Sequence, residues 1–152
     1  MTDRQIQELC AKIRTEKKRL VFTNGCFDIL HLGHIRYLEQ ARALGDFLFV
    51  GVNSDASVRG LKGPHRPVQN ESDRQAILLA LKSVDAVQIF SEDTPLNLIK
   101  LVQPDVLVKG GDWAVDQIVG RDVVQARGGI VKSLPFVKDH STSDILKKIK
   151  SL

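Results

Sequence analysis

The sequence predicts an α/β fold: one five-stranded parallel sheet with helices packed on both faces. Three observations lead there. Strand-like apolar runs and helix-like periodic segments alternate five times without interruption. One run, Phe47 to Val52, is apolar throughout, as a strand buried on both faces requires. The polar stretches after the first, fourth and fifth strands fall on one side of this scheme, the carboxyl edge, where open parallel sheets bind ligands.

Taken in order, Ile6, Leu9, Cys10 and Ile13 keep helical spacing and place a helix within residues 1–19. Leu20 to Thr23 reads as the first strand. A helix from Leu32 to Leu44 follows, with Ile35, Leu38, Ala41 and Leu44 inward and Gly45 as its stop. After the Phe47–Val52 strand, Asn53 to Asn70 reads as an irregular loop because it carries Gly60, Gly63, Pro64 and Pro67. Ser72 to Lys82 is the next helix and Ala86 to Phe90 the third strand. Pro95 suits the first position of a helix running to Val102, and Pro104 blocks its continuation. Val106 to Val108 is the fourth strand. A helix near Val115 to Ala126 ends at Gly128-Gly129, Ile130 to Leu134 is the fifth strand, and Thr142 to Lys150 the last helix. No linker, repeat or low-complexity segment divides the chain, so residues 1–152 form one domain, with the sheet core at 20–150.

Composition narrows the function. At 152 residues, 43% hydrophobic and 26% charged, the chain is long enough for a substantial core. No apolar run reaches the roughly 18 residues needed to cross a bilayer, and the charged start resembles no signal peptide. Cys10 and Cys26 form no framework or CxxC pair, which predicts a reduced, cytoplasmic protein with no membrane partner. The net charge of +4 stems partly from Lys17-Lys18-Arg19 and the Lys147–Lys150 tail. Aromatics are only 5%, leaving little to stack on exposed bases, so no nucleic acid is expected. A phosphorylated small molecule accounts for the basic balance equally well.

Residues 24–34, NGCFDILHLGH, join the first strand to its helix. His31 and His34 lie at the start of that helix, and Gly33 between them lets a ligand approach the backbone. A helix start offers free N–H groups and partial positive charge to phosphate, and a bound polyphosphate favours protonated imidazole. Two other readings stay open: a metal site completed by Asp28, or histidines that merely cap the helix. Ser141-Thr142-Ser143-Asp144 supplies a second helix start with hydroxyls, capped by Ser141 and Asp144. Among Arg59, Lys62, His65 and Arg66, Lys62 is best set to reach a phosphate. Lys109-Gly110-Gly111-Asp112-Trp113 offers a flat surface for a ring, with backbone groups to read its edge. Cys26 lacks a free histidine to activate it, so covalent catalysis is not expected.

Together, Asn24-Gly25-Cys26-Phe27-Asp28, His31-x-Gly33-His34, NSDAS, LKG, KGGDW and STSDIL resemble the cytidylyltransferase-like nucleotidyltransferase superfamily. Within it, the similarity is to adenylyltransferases of D-glycero-β-D-manno-heptose 1-phosphate, stand-alone or half of a bifunctional kinase and adenylyltransferase. It runs from about Leu20 to Ile149. The resemblance implies a Rossmann-like sheet in order 3-2-1-4-5 and a dimer or higher homo-oligomer. It also implies transfer of AMP from ATP, with Mg2+, to the sugar 1-phosphate, giving pyrophosphate and ADP-heptose for the lipopolysaccharide core. His31 and His34 would hold the triphosphate, Ser141, Thr142 and Ser143 the phosphates, and Asn24, Gly25, Cys26, Phe27 and Gly33 the nucleotide. Lys109, Gly110, Gly111, Asp112 and Trp113 would sit by the base, and Lys62 would join the catalytic donors. Asp28 and Arg66, chosen for reach, are the candidates for the sugar phosphate. Lys138-Asp139-His140 stand where the family shows Glu-Gly before its Ser-Thr-Thr, and Ser143 replaces the second Thr. No kinase half accompanies these motifs, so another protein is expected to supply that step. Rival functions are a cytidylyltransferase for glycerol 3-phosphate or a related alcohol phosphate, and a non-catalytic nucleotide-binding regulator.

Overall fold

The computed structural model describes residues 1–152. Strands β1 (Leu20–Gly25), β2 (Phe47–Asn53), β3 (Ala86–Phe90), β4 (Val106–Gly110) and β5 (Ile130–Leu134) form one sheet in order β3-β2-β1-β4-β5. Every neighbouring pair is parallel. Helices α1 (Asp3–Thr15), α2 (Leu32–Arg42), α3 (Asp55–Lys62), α4 (Glu71–Leu79), α5 (Leu96–Val102), α6 (Arg121–Gln125) and α7 (Thr142–Lys150) complete the chain. The expected strand order and the covering of both faces are therefore present.

Alternation along the strands builds two cores. Leu20, Phe22, Phe49 and Leu107 point to the face covered by Ile6, Cys10 and Ile13 of α1 and Leu98, Ile99 and Val102 of α5. Val21, Leu48, Val50, Val106 and Val108 point to the other face, under Tyr37, Leu38 and Ala41 of α2 and Leu78 of α4. Each such fully buried aliphatic or aromatic side chain is worth roughly 1.5–3 kcal/mol of transfer free energy. Tyr37 carries its hydroxyl into this core and meets Thr23 Oγ1 at 2.5 Å. Burial pushes its phenol up to about 12, against a smaller opposing pull from Thr23.

The amino edge of the sheet is closed by aspartates that immediately precede strands. Asp105 Oδ2 accepts from Leu20 N at 2.8 Å, Asp85 Oδ2 from Leu48 N at 2.7 Å, and Asp46 Oδ2 from Arg19 N at 2.8 Å. Each satisfies a backbone donor, in or just before the neighbouring strand, that the ladder leaves over.

Three expectations need correction. Residues 55–62 form α3 rather than loop: Ser54 caps it by accepting from Ser57 N at 3.2 Å, and Val58 is buried. Such a cap contributes about 1 kcal/mol, enough to carry a helix past Gly60. The helix expected over 115–126 is broken into a 3-10 turn, Val115–Gln117, and the short α6, because Gly120 takes φ +87° between them. Strands β1 and β4 extend to Gly25 and Gly110, so Asn24, Gly25, Lys109 and Gly110 are strand ends, not loop.

Candidate active site

Beyond β1 the chain crosses the carboxyl edge, turns at Phe27 with φ 45°, and enters α2. His31 occupies the N-cap in extended conformation, yet its side chain makes no capping bond, and the first turn of α2 holds no acidic residue. The reading of the histidines as simple helix caps therefore fails for His31. Instead the imidazoles of His31 and His34 stack, with centroids 3.9 Å apart and planes 24° from parallel. The edge of Phe27 closes on His34 with centroids 5.4 Å apart.

Burial pushes His31 below its usual range, and the neighbouring His140 pushes it further. His34 falls to about 4, chiefly through burial and next through His31. The Ile29 carbonyl pulls His34 weakly the other way without closing a hydrogen bond of normal geometry. Both rings are thus neutral at neutral pH, and both Nδ1 atoms are buried without a partner. Buried polar atoms are normally satisfied. Two such atoms side by side at a helix start are available to a ligand, and a polyanion there would return charge to the rings.

Asp28, only 2% exposed, is committed elsewhere. Its carboxylate accepts from Arg66 Nε at 2.7 Å and from the N–H groups of Val68 and Gln69 at 2.9 Å. Burial favours its neutral form, but these donors win and hold the acid below the usual carboxylate range. Asp28 and Arg66, both expected to face a sugar phosphate, thus meet each other and anchor residues 66–69 to the edge. With both its oxygens engaged, Asp28 is a poor third ligand for a metal shared with the two histidines.

Lys62 ends α3 and Lys109 lies near the end of β4, so a crossover helix and a strand end deliver ammonium groups to one neighbourhood. Burial lowers Lys109, Cys26 opposes this, and Lys62 adds to it. Lys62 also pulls on the Cys26 thiol, which burial nevertheless raises above its ordinary value. A raised thiol is a poor nucleophile.

At the end of β4 the polar groups of Gly111 are already used. Its N–H donates to Leu134 O at 2.8 Å, and its carbonyl accepts from Ser133 Oγ and from Trp113 N. Gly111 therefore offers surface rather than a readable edge. The reason for glycine is close approach: a Cβ at 111 would lie 2.9 Å from the Phe136 ring and 3.2 Å from Trp113 Nε1. Trp113 and Phe136 are 48% and 72% exposed, an aromatic shelf with Lys109 Nζ 5.7 Å from the indole centroid. Asp112 stands exposed beside it.

The second helix start lies against the first. Thr142 Oγ1 donates to Ile29 O at 3.2 Å, and Ser141 caps α7 by accepting from Asp144 N at 3.1 Å. Ser143 is exposed in that first turn. Asn24, Gly25, Cys26, Phe27, Gly33, His31, His34 and Ser141–Ser143 accordingly lie along one edge, with Lys62 and Lys109–Trp113 on the adjoining elements.

Three contributors escaped the sequence reading. Arg74 is 1% exposed and spends its guanidinium on Cys26 O at 2.6 Å, Asp55 Oδ1 at 2.8 Å and Gln69 O at 3.0 Å. It fastens α3, α4 and the 26–28 turn together. A lone arginine on an amphipathic helix gives no hint of this, because its partners are distant in sequence. Phe136 was lost in an apparent loop, and His140 was noted only as a departure from the family pattern.

A family model described as cytidylyltransferase-like matches residues 22–148. The chain is 54% identical over 151 residues to the bifunctional protein HldE of Geotalea uraniireducens (strain Rf4), covering 97% of this chain and 31% of that one. With the bifunctional protein HldE of Pseudomonas syringae pv. syringae (strain B728a) it shares 60% over 137 residues, 90% of this chain and 29% of that one. The chain spans about a third of the length of these curated relatives. The solved lipopolysaccharide core biosynthesis protein from Thermoplasma volcanium GSS1 superposes with a TM-score of 0.66 at 33% identity, over 81% of this chain and 99% of that one. Pantothenate synthetase from Thermus thermophilus, at 19% identity and a TM-score of 0.56 over 90% of this chain and 65% of that one, shares the fold.

Proposed function

The chain belongs to the cytidylyltransferase-like family of nucleotidyltransferases, and we propose that it transfers AMP from ATP to D-glycero-β-D-manno-heptose 1-phosphate. The products are ADP-heptose and pyrophosphate, and the pathway served is lipopolysaccharide core synthesis. The observation that carries this reading is the stacked His31–His34 pair, its orphaned nitrogens buried at an uncapped helix start. The similarity to the HldE proteins and to a lipopolysaccharide core biosynthesis protein supports the choice of pathway. As in other enzymes of this kind, we take the working unit to be a homodimer or larger.

The sugar phosphate is already an anion at neutral pH, so attack on the α-phosphorus requires no general base. The chain's task is positioning and charge stabilisation. His31, His34 and Lys62 donate to phosphate oxygens where charge builds, and the starts of α2 and α7 add N–H groups. Ser141, Thr142 and Ser143 hold the phosphates from the α7 side, and the shelf of Trp113 and Phe136 with Lys109 takes the base. Imidazole, ammonium and hydroxyl groups surround this edge, a donor set suited to Mg2+ carried on the triphosphate's own oxygens. That ion would neutralise the departing pyrophosphate.

Pyrophosphate release measured with ATP and with CTP, against heptose 1-phosphate, glycerol 3-phosphate and other polyol phosphates, tests the reading. Turnover is expected with ATP and heptose 1-phosphate. Preference for CTP and glycerol 3-phosphate would make the chain a cytidylyltransferase, and no turnover with any pair would leave a nucleotide-binding regulator.

A further inference from the structure

Beside the stacked pair stands a third imidazole. The ring of His140 lies 6.5 Å from that of His31, so His140, His31 and His34 form a row across the gap between the starts of α7 and α2. His140 Nδ1 lies 2.8 Å from Lys138 O. A carbonyl only accepts, so Nδ1 carries the hydrogen, and Nε2 is the nitrogen left to meet a ligand. The segment that bears it is tied to the other helix start by the Thr142–Ile29 bond. Gly33 completes the fit: a Cβ there would come within 2.9 Å of the His31 ring and 3.1 Å of His140 Cβ. The His31 ring and the Cβ of His140 fill the space a side chain at 33 would take.

The charges around His140 do not neutralise it. From α2 it faces His31, with His34 behind. Its own segment holds Lys138, Asp139 and Asp144, and the Asp144 carboxylate is engaged by Ser141 Oγ at 2.6 Å. Burial first, and a neighbouring imidazole next, hold His31 and His34 below their usual range, and a polyanion laid along them opposes both effects.

We propose that His140 is a third phosphate-binding imidazole, meeting the β- or γ-phosphate of a nucleoside triphosphate seated on the His31–His34 pair. The inference rests on the nucleotidyltransferase reading and adds to it a residue from outside the histidine motif.

Calorimetric titration of the whole chain with an ATP analogue whose α,β-bridging oxygen is replaced by methylene tests this. His140→Ala should bind about tenfold more weakly at pH 6.5, the loss expected of one charged hydrogen bond. His140→Lys, which keeps a cationic donor at this position, should recover most of that affinity. Equal affinity in wild type and His140→Ala would overturn the inference alone. A wild-type chain that binds no adenine nucleotide would overturn the underlying reading as well.

Discussion

The two edges of the sheet treat their polar groups in opposite ways. At the amino edge, Asp46, Asp85 and Asp105 each reach a backbone N–H in or just before the next strand, and the chain answers its own donors. At the carboxyl edge, His31 caps nothing, two imidazole nitrogens are buried without partners, and basic side chains from a helix end and a strand end gather. One edge contributes to stability. The other gives some up, since an unmet buried polar atom costs roughly 1–3 kcal/mol, and leaves those atoms open to a ligand. Satisfaction of hydrogen bonds thus separates scaffold from candidate site in a single sheet.

The contrast can be broken most sharply at His34. His34→Ala should lower turnover about 10²- to 10³-fold, roughly 3 to 4 kcal/mol of transition-state stabilisation. The chain should stay folded by far-UV circular dichroism. Turnover within a few-fold of wild type would remove His34 from the chemistry.

The reciprocal experiment is Asp105→Ala. Loss of a carboxylate bonded to Leu20 N should cost about 2 kcal/mol in urea unfolding, with activity per folded molecule unchanged. A large fall in kcat at unchanged stability would erase the division between the edges.

A smaller effect sharpens the comparison through pH. His34 titrates at about 4 in the fold against 6.5 ordinarily, so between these values the unfolded chain binds protons that the folded one refuses. Stability is therefore complete above 6.5 and declines as pH falls toward 4. Asp28, a lowered carboxylate, loses its contribution only at still lower pH. His34→Gln should flatten the slope of urea midpoints between about pH 4 and 7; an unchanged slope would assign it to other groups.

The scaffold was more legible in the sequence than the site. Unbroken apolar runs such as Phe47–Val52 announce strands, and helical spacing at Ile6, Cys10 and Ile13 announces α1, because burial imprints periodicity. Helix α3 was hidden: Gly60, Gly63 and Pro64 are strong local breakers, while the bond from Ser57 N to Ser54 and the burial of Val58 depend on three-dimensional context. Gly120 split a helix for the converse reason, a left-handed turn inside an otherwise helical pattern. At the site, short motifs pointed to His31, His34 and Lys109–Trp113, but not to the use Asp28 makes of Arg66, nor to Arg74. Those bonds join residues 38 to 48 positions apart, and no spacing rule encodes them.

The bond from Thr142 to the Ile29 carbonyl joins residues 113 positions apart. In a chain made from its amino end, the sheet has all its strands before the last helix arrives to shut the pocket. A chain cut before residue 141 would retain every strand and the His31–His34 pair yet lose the contact that holds the start of α7 against the start of α2.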